Sequence, residues 1–225
     1  MARMTTPPET ANDFASIVPD VAALRELYRD PSQGVLDKET EVLDGGCRDF
    51  IARSTFVLVA TSDSDGRLDV SPRGGPQGFV KVLDERRLAI PDLNGNNRLD
   101  TLTNILDHGR IALLFVIPGL GETLRVNGRA CLTTDDDVLD LFAEEVRRPK
   151  TAIGVTIEHG FIHCAKAFRR GVLWSPDEWP AASCRPSPGQ ILVDHSGAAD
   201  VISGAELAAL LEQGYAADLA ADAPE

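Results

Sequence analysis

Two arginines, Arg73 and Arg98, stand on either side of an asparagine-rich loop, and residues of these types can hold an anion. The stretch from Asp69 to Asn104 carries a Ser71-Pro72-Arg73-Gly74-Gly75 segment, read as a turn, and two short apolar runs. It also carries the polar loop Asn94-Gly95-Asn96-Asn97-Arg98, which feeds a helix. A helix start presents N–H groups with no intrahelical partner and the positive end of the dipole, so it receives a phosphate readily. Arg73 and Arg98 add charge and forked donors. The same residues also describe an ordinary strand–turn–helix connection with a capping Asn. The other reactive side chains are scattered. Cys47, Cys131, Cys164 and Cys184 form no Cys-x-x-Cys pair, and reduced, mostly buried thiols are expected of them. His159, His163, Cys164 and Cys184 match no familiar zinc spacing.

The elements that must position these residues follow from apolar spacing. Residues 1–18 are rich in Pro, Thr, Ala and acids and read as a loose arm. Asp20 precedes Val21, Leu24, Leu27 and Tyr28 at helical spacing, and Pro31 stops that helix. A short helix through Phe50 and Ile51 comes next, and these N-terminal helices are expected to pack on a sheet. Phe56–Ala60 is a continuous apolar run, expected as a buried strand. The Asp65-Gly66 pair turns it back into Leu68–Val70. Gly78–Leu83 and Leu88–Ile90 form a second hairpin with the charged tip Asp84-Glu85-Arg86-Arg87.

After Arg98, the residues Leu99, Leu102, Ile105 and Leu106 make one apolar stripe, with Arg98, Thr101 and Asn104 off it. Arg110–Ile117 is the most apolar strand. Thr123–Leu132 returns with Leu124 and Val126 on one face and Arg125, Asn127 and Arg129 on the other. A helix from Thr134 to Pro149 with Val138, Leu141, Phe142 and Val146 inward is expected, then a strand over Ala152–Ile157 and a helical turn over Phe161–Phe168. Trp174 and Trp179 read as core, interface or ligand-stacking residues. Ala181–Gly189 reads as loop, Ser203 and Glu206 as a capping box, and Ala216–Glu225 as a frayed tail. Five to seven short strands with inserted helices point to a small antiparallel barrel with helices on its flanks.

The totals exclude several classes of function. The 225 residues carry a net charge of −13, against nonspecific nucleic-acid binding, though a local basic pocket for a small anion stays open. No apolar run approaches the roughly 18 residues that a bilayer span needs. The start lacks an apolar signal core, so a cytoplasmic location with no membrane partner is expected.

Taken in order, Ser71-Pro72-Arg73-Gly74, Gly78-Phe79-Val80, Leu88-Ala89-Ile90-Pro91, Gly95-Asn96-Asn97-Arg98-Leu99-Asp100 and Asn104-Ile105-Leu106 resemble the pyridoxamine 5′-phosphate oxidase-related flavoproteins, and a bacterial subfamily of them in particular. Leu113-Leu114-Phe115, Pro118-Gly119, the run Thr123–Ala130, and Cys164-Ala165-Lys166 leading to Leu173-Trp174 agree, so the resemblance spans roughly residues 45–180. It implies a mainly β fold with flanking helices, an antiparallel split β-barrel, as a homodimer that binds FMN at the subunit interface. The implied organisation is an N-terminal arm and helices over 1–50, the FMN-binding split barrel over 51–180, and a C-terminal loop and helix over 181–225. The resemblance assigns Asn97, Arg98 and Thr101 to the FMN phosphate. Ser71, Arg73 and Gly74 fall on the strand lining the flavin, with the role of Arg73 open between phosphate, ring edge and structure. Thr123 and Arg125 match a flavin-contacting strand, and Trp174 a C-terminal region supplied by the partner subunit.

The implied activity is that of an FMN-dependent oxidoreductase acting on a small molecule. The Arg-x-His substrate motif of true pyridoxamine phosphate oxidases has no counterpart in the acidic, Ala-rich C-terminus, which counts against vitamin B6 chemistry. The alternatives are a non-catalytic flavin or haem-binding redox module and an F420-dependent reductase. His108, His159, His163 and His195 are the potential axial ligands for haem.

Overall fold

The computed structural model describes residues 14–224, so the first thirteen residues of the expected arm lie outside the described residues. The chain divides into two units, Met1–Lys38 and Glu39–Glu225. The first holds α1 (Val21–Leu27) and α2 (Gln33–Leu36). Asp20 caps α1 by accepting from the backbone N–H of Ala23 at 2.9 Å, as its sequence position predicts. Neither α1 nor α2 contains a buried residue.

The second unit is built on one antiparallel sheet of seven strands: β1 (Phe56–Ser62), β2 (Leu68–Gly74), β3 (Lys81–Val82), β4 (Arg87–Pro91), β5 (Arg110–Val116), β6 (Thr123–Thr133) and β7 (Ala152–His163). Their order across the sheet is β2-β1-β5-β6-β7-β4-β3. The pairing ends at β2 on one side and β3 on the other, so among the described residues the sheet is split rather than closed. Among the described residues this unit also holds six α-helices, of which α3 (Gly45–Arg53) precedes the sheet, α4 (Asp100–Asp107) and α5 (Asp136–Leu139) join strands, and α6 (Lys166–Arg170), α7 (Pro188–Ser196) and α8 (Gly204–Ala221) follow β7.

Period-two alternation decides which face of the sheet is buried. Val57 and Val59 of β1, Leu113 and Phe115 of β5, Leu124 and Val126 of β6, and Val155 and Ile157 of β7 all point to one side. There they meet Phe50 and Ile51 of α3 and Leu102 and Ile105 of α4. Each such side chain contributes roughly 1.5–3 kcal/mol by leaving water. The other face is covered only locally. Ala89 of β4 packs there with Leu139, Phe142, Val146 and Ala152. β4 is therefore covered on both sides from Leu88 to Pro91, and it holds the loop that follows it in a fixed place. Ser54, fully buried, donates from Oγ to Val116 O at 2.8 Å and ties the end of α3 to β5.

Several local expectations change. Phe56–Ala60 is not buried throughout: Leu58 and Ala60 are half-exposed, because β1 belongs to a one-sided sheet. The Ser71–Gly74 segment is strand rather than turn. β2 is the outermost strand, and Pro72 is tolerated there because an edge strand needs hydrogen bonds on one side only. Phe161–His163 extends β7, and the helical turn starts only at Lys166. The helix expected over Thr134–Pro149 is broken into α5, capped by Asp135, and a 3-10 turn over Asp140–Phe142. α7 occupies a segment read partly as loop, with Ser187 as its cap and Pro188 at its first position. α8 runs on to Ala221, where fraying was expected. Neither tryptophan belongs to the core: Trp174 Nε1 donates to Leu120 O at 2.8 Å and Trp179 Nε1 to Val172 O at 3.1 Å, both at partly exposed sites. Of the cysteines only Cys47 is buried, and burial pushes its thiol up to about 11; all four are free. No helix among the described residues is long and apolar enough to cross a membrane.

Candidate functional site

A groove of about 680 Å³ opens between β2, the loop from β4 to α4, and the end of α8. Its size suits a cofactor or a small ligand. Alternation along β2 turns Asp69, Ser71 and Arg73 inward as half-buried side chains and leaves Leu68, Val70, Pro72 and Gly74 exposed. Arg73 folds back along its own strand, with Nη1 donating to Ser71 Oγ and, at 3.0 Å, to Pro72 O.

The opposite wall is the start of α4. Its N-cap position is Leu99, in the left-handed region at φ 62°, with no side-chain capping bond. The capping Asn expected there is displaced: Asn96, three positions before the N-cap, accepts through Oδ1 from the backbone N–H of Arg98 at 3.0 Å and so bonds no N–H of the helix. Asn97 also has a positive φ, 57°. Among the described residues the first-turn N–H groups of α4 therefore have no side-chain cap, and they border the groove. Leu102 and Ile105 anchor the helix in the core, while Leu99 and Leu106 of the expected stripe are exposed. Thr101, expected on the polar side, is buried, and its Oγ1 donates to Asp69 Oδ2 at 2.7 Å, which fastens α4 to β2. Asn104 Nδ2 donates to Thr61 Oγ1 at 3.1 Å and, one turn on, ties α4 to β1.

The electrostatics are mixed. Arg98 is largely exposed, and its Nε lies 2.8 Å from Asp100 Oδ2. Asp92 is half-buried at the mouth of the loop. Burial raises its carboxyl above the usual range, and the charges of Arg73 and Lys150 act in the opposite direction. Asp69, Asp92, Asp100, Glu145 and Asp222 line the groove together with Arg73 and Arg98, so it is not the basic pocket that was left open from composition.

Of the residues singled out from sequence, the groove brings together Ser71, Arg73, Gly74, Asn97, Arg98 and Thr101. Thr123, Arg125 and Trp174 are placed elsewhere. Thr123 is buried between Val116 and His163 of the neighbouring strands. Arg125 lies over the Phe161 ring, its Cζ 5.2 Å from the centroid. Trp174 stands edge-on to Phe168 beside the β5–β6 turn. Reasoning from sequence missed Asp69, Asp92 and Asp222. The alternation of β2 could have found Asp69. Asp222 carries no such signal, since its partner Asn94 lies 128 positions away. No cluster of three or more metal-ligating side chains occurs among the described residues.

The family model described as pyridoxamine 5′-phosphate oxidase matches residues 43–164, more than half of the chain. A histidine-to-alanine variant of HupZ from Group A Streptococcus is 20% identical, covers 54% of this chain and 99% of its own, and aligns with a TM-score of 0.44. A Lactobacillus delbrueckii protein, provisionally a pyridoxamine 5′-phosphate oxidase, is 24% identical over 54% of this chain and 95% of its own, with a TM-score of 0.42. An FMN-binding protein from Syntrophomonas wolfei is 9% identical over 52% of this chain and 83% of its own, with a TM-score of 0.40. No curated protein matches the chain.

Proposed function

The chain belongs to the pyridoxamine 5′-phosphate oxidase family, and on that premise we propose that it binds FMN in the groove between β2 and α4 and acts as a flavin-dependent oxidoreductase on a small molecule. The observation that carries this reading is that Arg73 and Arg98, from separate elements, line one groove together with a helix start whose N-cap residue makes no side-chain bond. That donor set fits a phosphate: two guanidinium forks supply charge, and the first-turn N–H groups of α4 supply aligned donors. Leu93, Pro91 and Phe79 give the groove an apolar wall that suits a flat ring. The fit has a cost, because a phosphate competes with Asp100 for Arg98 and meets the charge of Asp69 behind Thr101.

Bound FMN supplies hydride and electron transfer through its ring, so a nucleophile from the protein is not required. The protein's part is to grip the phosphate, orient the ring and exclude water. Arg98, Arg73 and Asn97 would grip the phosphate, Ser71 would line the ring side, and Thr101 would hold the two walls together. We further propose a homodimer with the flavin at the subunit interface, to which Thr123, Arg125 and Trp174 would contribute from outside the groove. The four free thiols support a reducing, cytoplasmic setting.

The test is an absorbance spectrum of the purified protein before and after addition of FMN and removal of the excess. The expected result is a retained flavin spectrum at about one equivalent per subunit, the stoichiometry of one cofactor per site. A protein that keeps no flavin after soaking overturns the reading, and a Soret band would point to haem. Oxidation of NAD(P)H by the loaded protein then separates an oxidoreductase from a carrier.

A further inference from the structure

α8 is the longest helix among the described residues and one of the least buried: of its eighteen residues only Gly204 is buried. It is held at its two ends. At the first, α7 and α8 cross at glycines. A Cβ on Gly189 would lie 2.1 Å from Gly204 O, and one on Gly204 would lie 2.7 Å from Gln190 Cα, so only glycine permits the approach. At the second, some 27 Å away at the helical rise of about 1.5 Å per residue, the C-cap Asp222 reaches the groove. Its Oδ1 accepts from Asn94 twice, from the backbone N–H at 3.2 Å and from Nδ2 at 2.8 Å. Its carbonyl accepts from the backbone N–H of Arg147 at 2.8 Å. Leu219, Asp222 and Ala223 form part of the groove wall.

We propose that Asp222 is a positioning residue for the anion end of the groove, and that the end of α8 is a strap that slows release of the ligand held there. As far as the ligand is concerned, this rests on the FMN reading. Asn94 opens the Asn94–Arg98 loop, whose Gly95 and Asn96 are exposed. The bonds from Asp222 tie down the start of that loop, and the Asn96–Arg98 turn ties down its end. Between them they set where Arg98 is presented. A carboxylate is a strong acceptor for this task. Its charge, however, opposes a phosphate in the same groove. Position and charge therefore act in opposite directions, and two substitutions separate them.

Asp222→Ala removes both the bonds and the charge. Asp222→Asn keeps an acceptor oxygen and removes only the charge. FMN-loaded full-length protein is diluted, and release is followed by the recovery of free-flavin fluorescence. D222A is expected to release FMN roughly tenfold faster than the wild type, the size expected of two lost hydrogen bonds. D222N is expected to release it at the wild-type rate or more slowly. Hydrogen exchange at residues 94–98 of the flavin-free protein provides a readout independent of FMN, and it should quicken in D222A and not in D222N.

Wild-type release or wild-type exchange in D222A overturns the strap. Slower release from both variants by the same factor overturns it in favour of charge alone. D222N behaving as D222A overturns the assignment to the acceptor oxygen. If the wild type keeps no FMN, the cofactor reading fails, and the exchange measurement alone decides whether Asp222 positions the loop.

Discussion

α8 and α4 begin in opposite ways. α8 starts on a complete capping box: Ser203 Oγ accepts from the backbone N–H of Glu206 at 3.2 Å, and Glu206 Oε2 accepts from the backbone N–H of Ser203 at 2.9 Å. Each side chain satisfies a donor that the helix would otherwise leave open. α4 starts on Leu99, held in the left-handed region with no side-chain bond. For a residue with a Cβ that conformation costs roughly 1–2 kcal/mol. Selection for helix stability alone produces the first arrangement. The second gives up stability on a wall of the groove that Arg73 and Arg98 also line, and strain of that kind is commonest at binding sites and switch regions. The two starts separate a helix end that serves the fold from one that is left open to the groove.

The largest effect that can break this contrast is on ligand affinity. Arg98→Ala is expected to weaken FMN binding roughly tenfold or more, since a charge-assisted contact is worth about 1.5–3 kcal/mol. Losing Arg98 also leaves Asp100 as an unpaired negative charge beside the phosphate. Arg86→Ala, in the exposed tip of the β3–β4 hairpin, should leave affinity unchanged. Equal Kd values for the two variants in a fluorescence titration would remove α4 from the site. A smaller effect sharpens the other half of the contrast. Ser203→Ala should cost about 1 kcal/mol, a fall of roughly 2–4 °C in Tm for a chain of this size, with FMN affinity unchanged. A Ser203→Ala variant that melts like the wild type would mean that the capping box of α8 contributes nothing measurable.

Much of the sheet was legible in the sequence, because its signals are local. The alternation of Leu124 and Val126 against Arg125 and Asn127 fixed the faces of β6, and the apolar run Arg110–Ile117 gave β5 almost whole. The capping box of α8 is readable for the same reason: Ser203 and Glu206 stand three positions apart. Both walls of the groove carry residues singled out from sequence, Ser71, Arg73 and Gly74 on β2 and a second set at the start of α4. Arg98, Asn97 and Thr101 lie together in sequence. Asp69 was hidden because Pro72 and Gly74 are turn-formers in most settings, and only the position of β2 at the sheet edge turns them into strand. Leu99 as the N-cap could not be read, since propensity argues for one of the neighbouring asparagines. Asp222 was out of reach because nothing local specifies a contact between a C-terminal helix and a loop 128 positions earlier. Thr101 falls off the apolar stripe by its position in the helical period, yet the packing of α4 on β2 buries it, and Asp69 satisfies its hydroxyl.

Two carboxylates carry the contrast between the helix starts into pH dependence. At the capped end, the Ser203 side chain and then its backbone N–H hydrogen-bond Glu206 and hold its carboxyl below the usual range. A carboxyl lowered in the folded state stabilises the fold above its unfolded pKa, about 4.3, and that contribution fades as pH falls through the folded value. At the groove end, burial raises Asp92, against the pull of Arg73 and Lys150. Here the sign reverses. Between the unfolded pKa of about 3.9 and the raised folded value, the folded chain binds more protons, so stability falls as pH rises through that window. At neutral pH the ionised Asp92 is a net cost. Asp92→Asn should therefore raise Tm at pH 7, and the gap from the wild type should close below about pH 4, where the protonated acid and the amide are both neutral. Glu206→Gln should lower Tm at pH 7, with its gap also closing in acid. Thermal melts of the flavin-free proteins from pH 3 to 8 read both. A lower Tm for Asp92→Asn at pH 7 would show that the pull of Arg73 and Lys150 outweighs burial, and that the groove is organised around that carboxylate as an ion-pair partner.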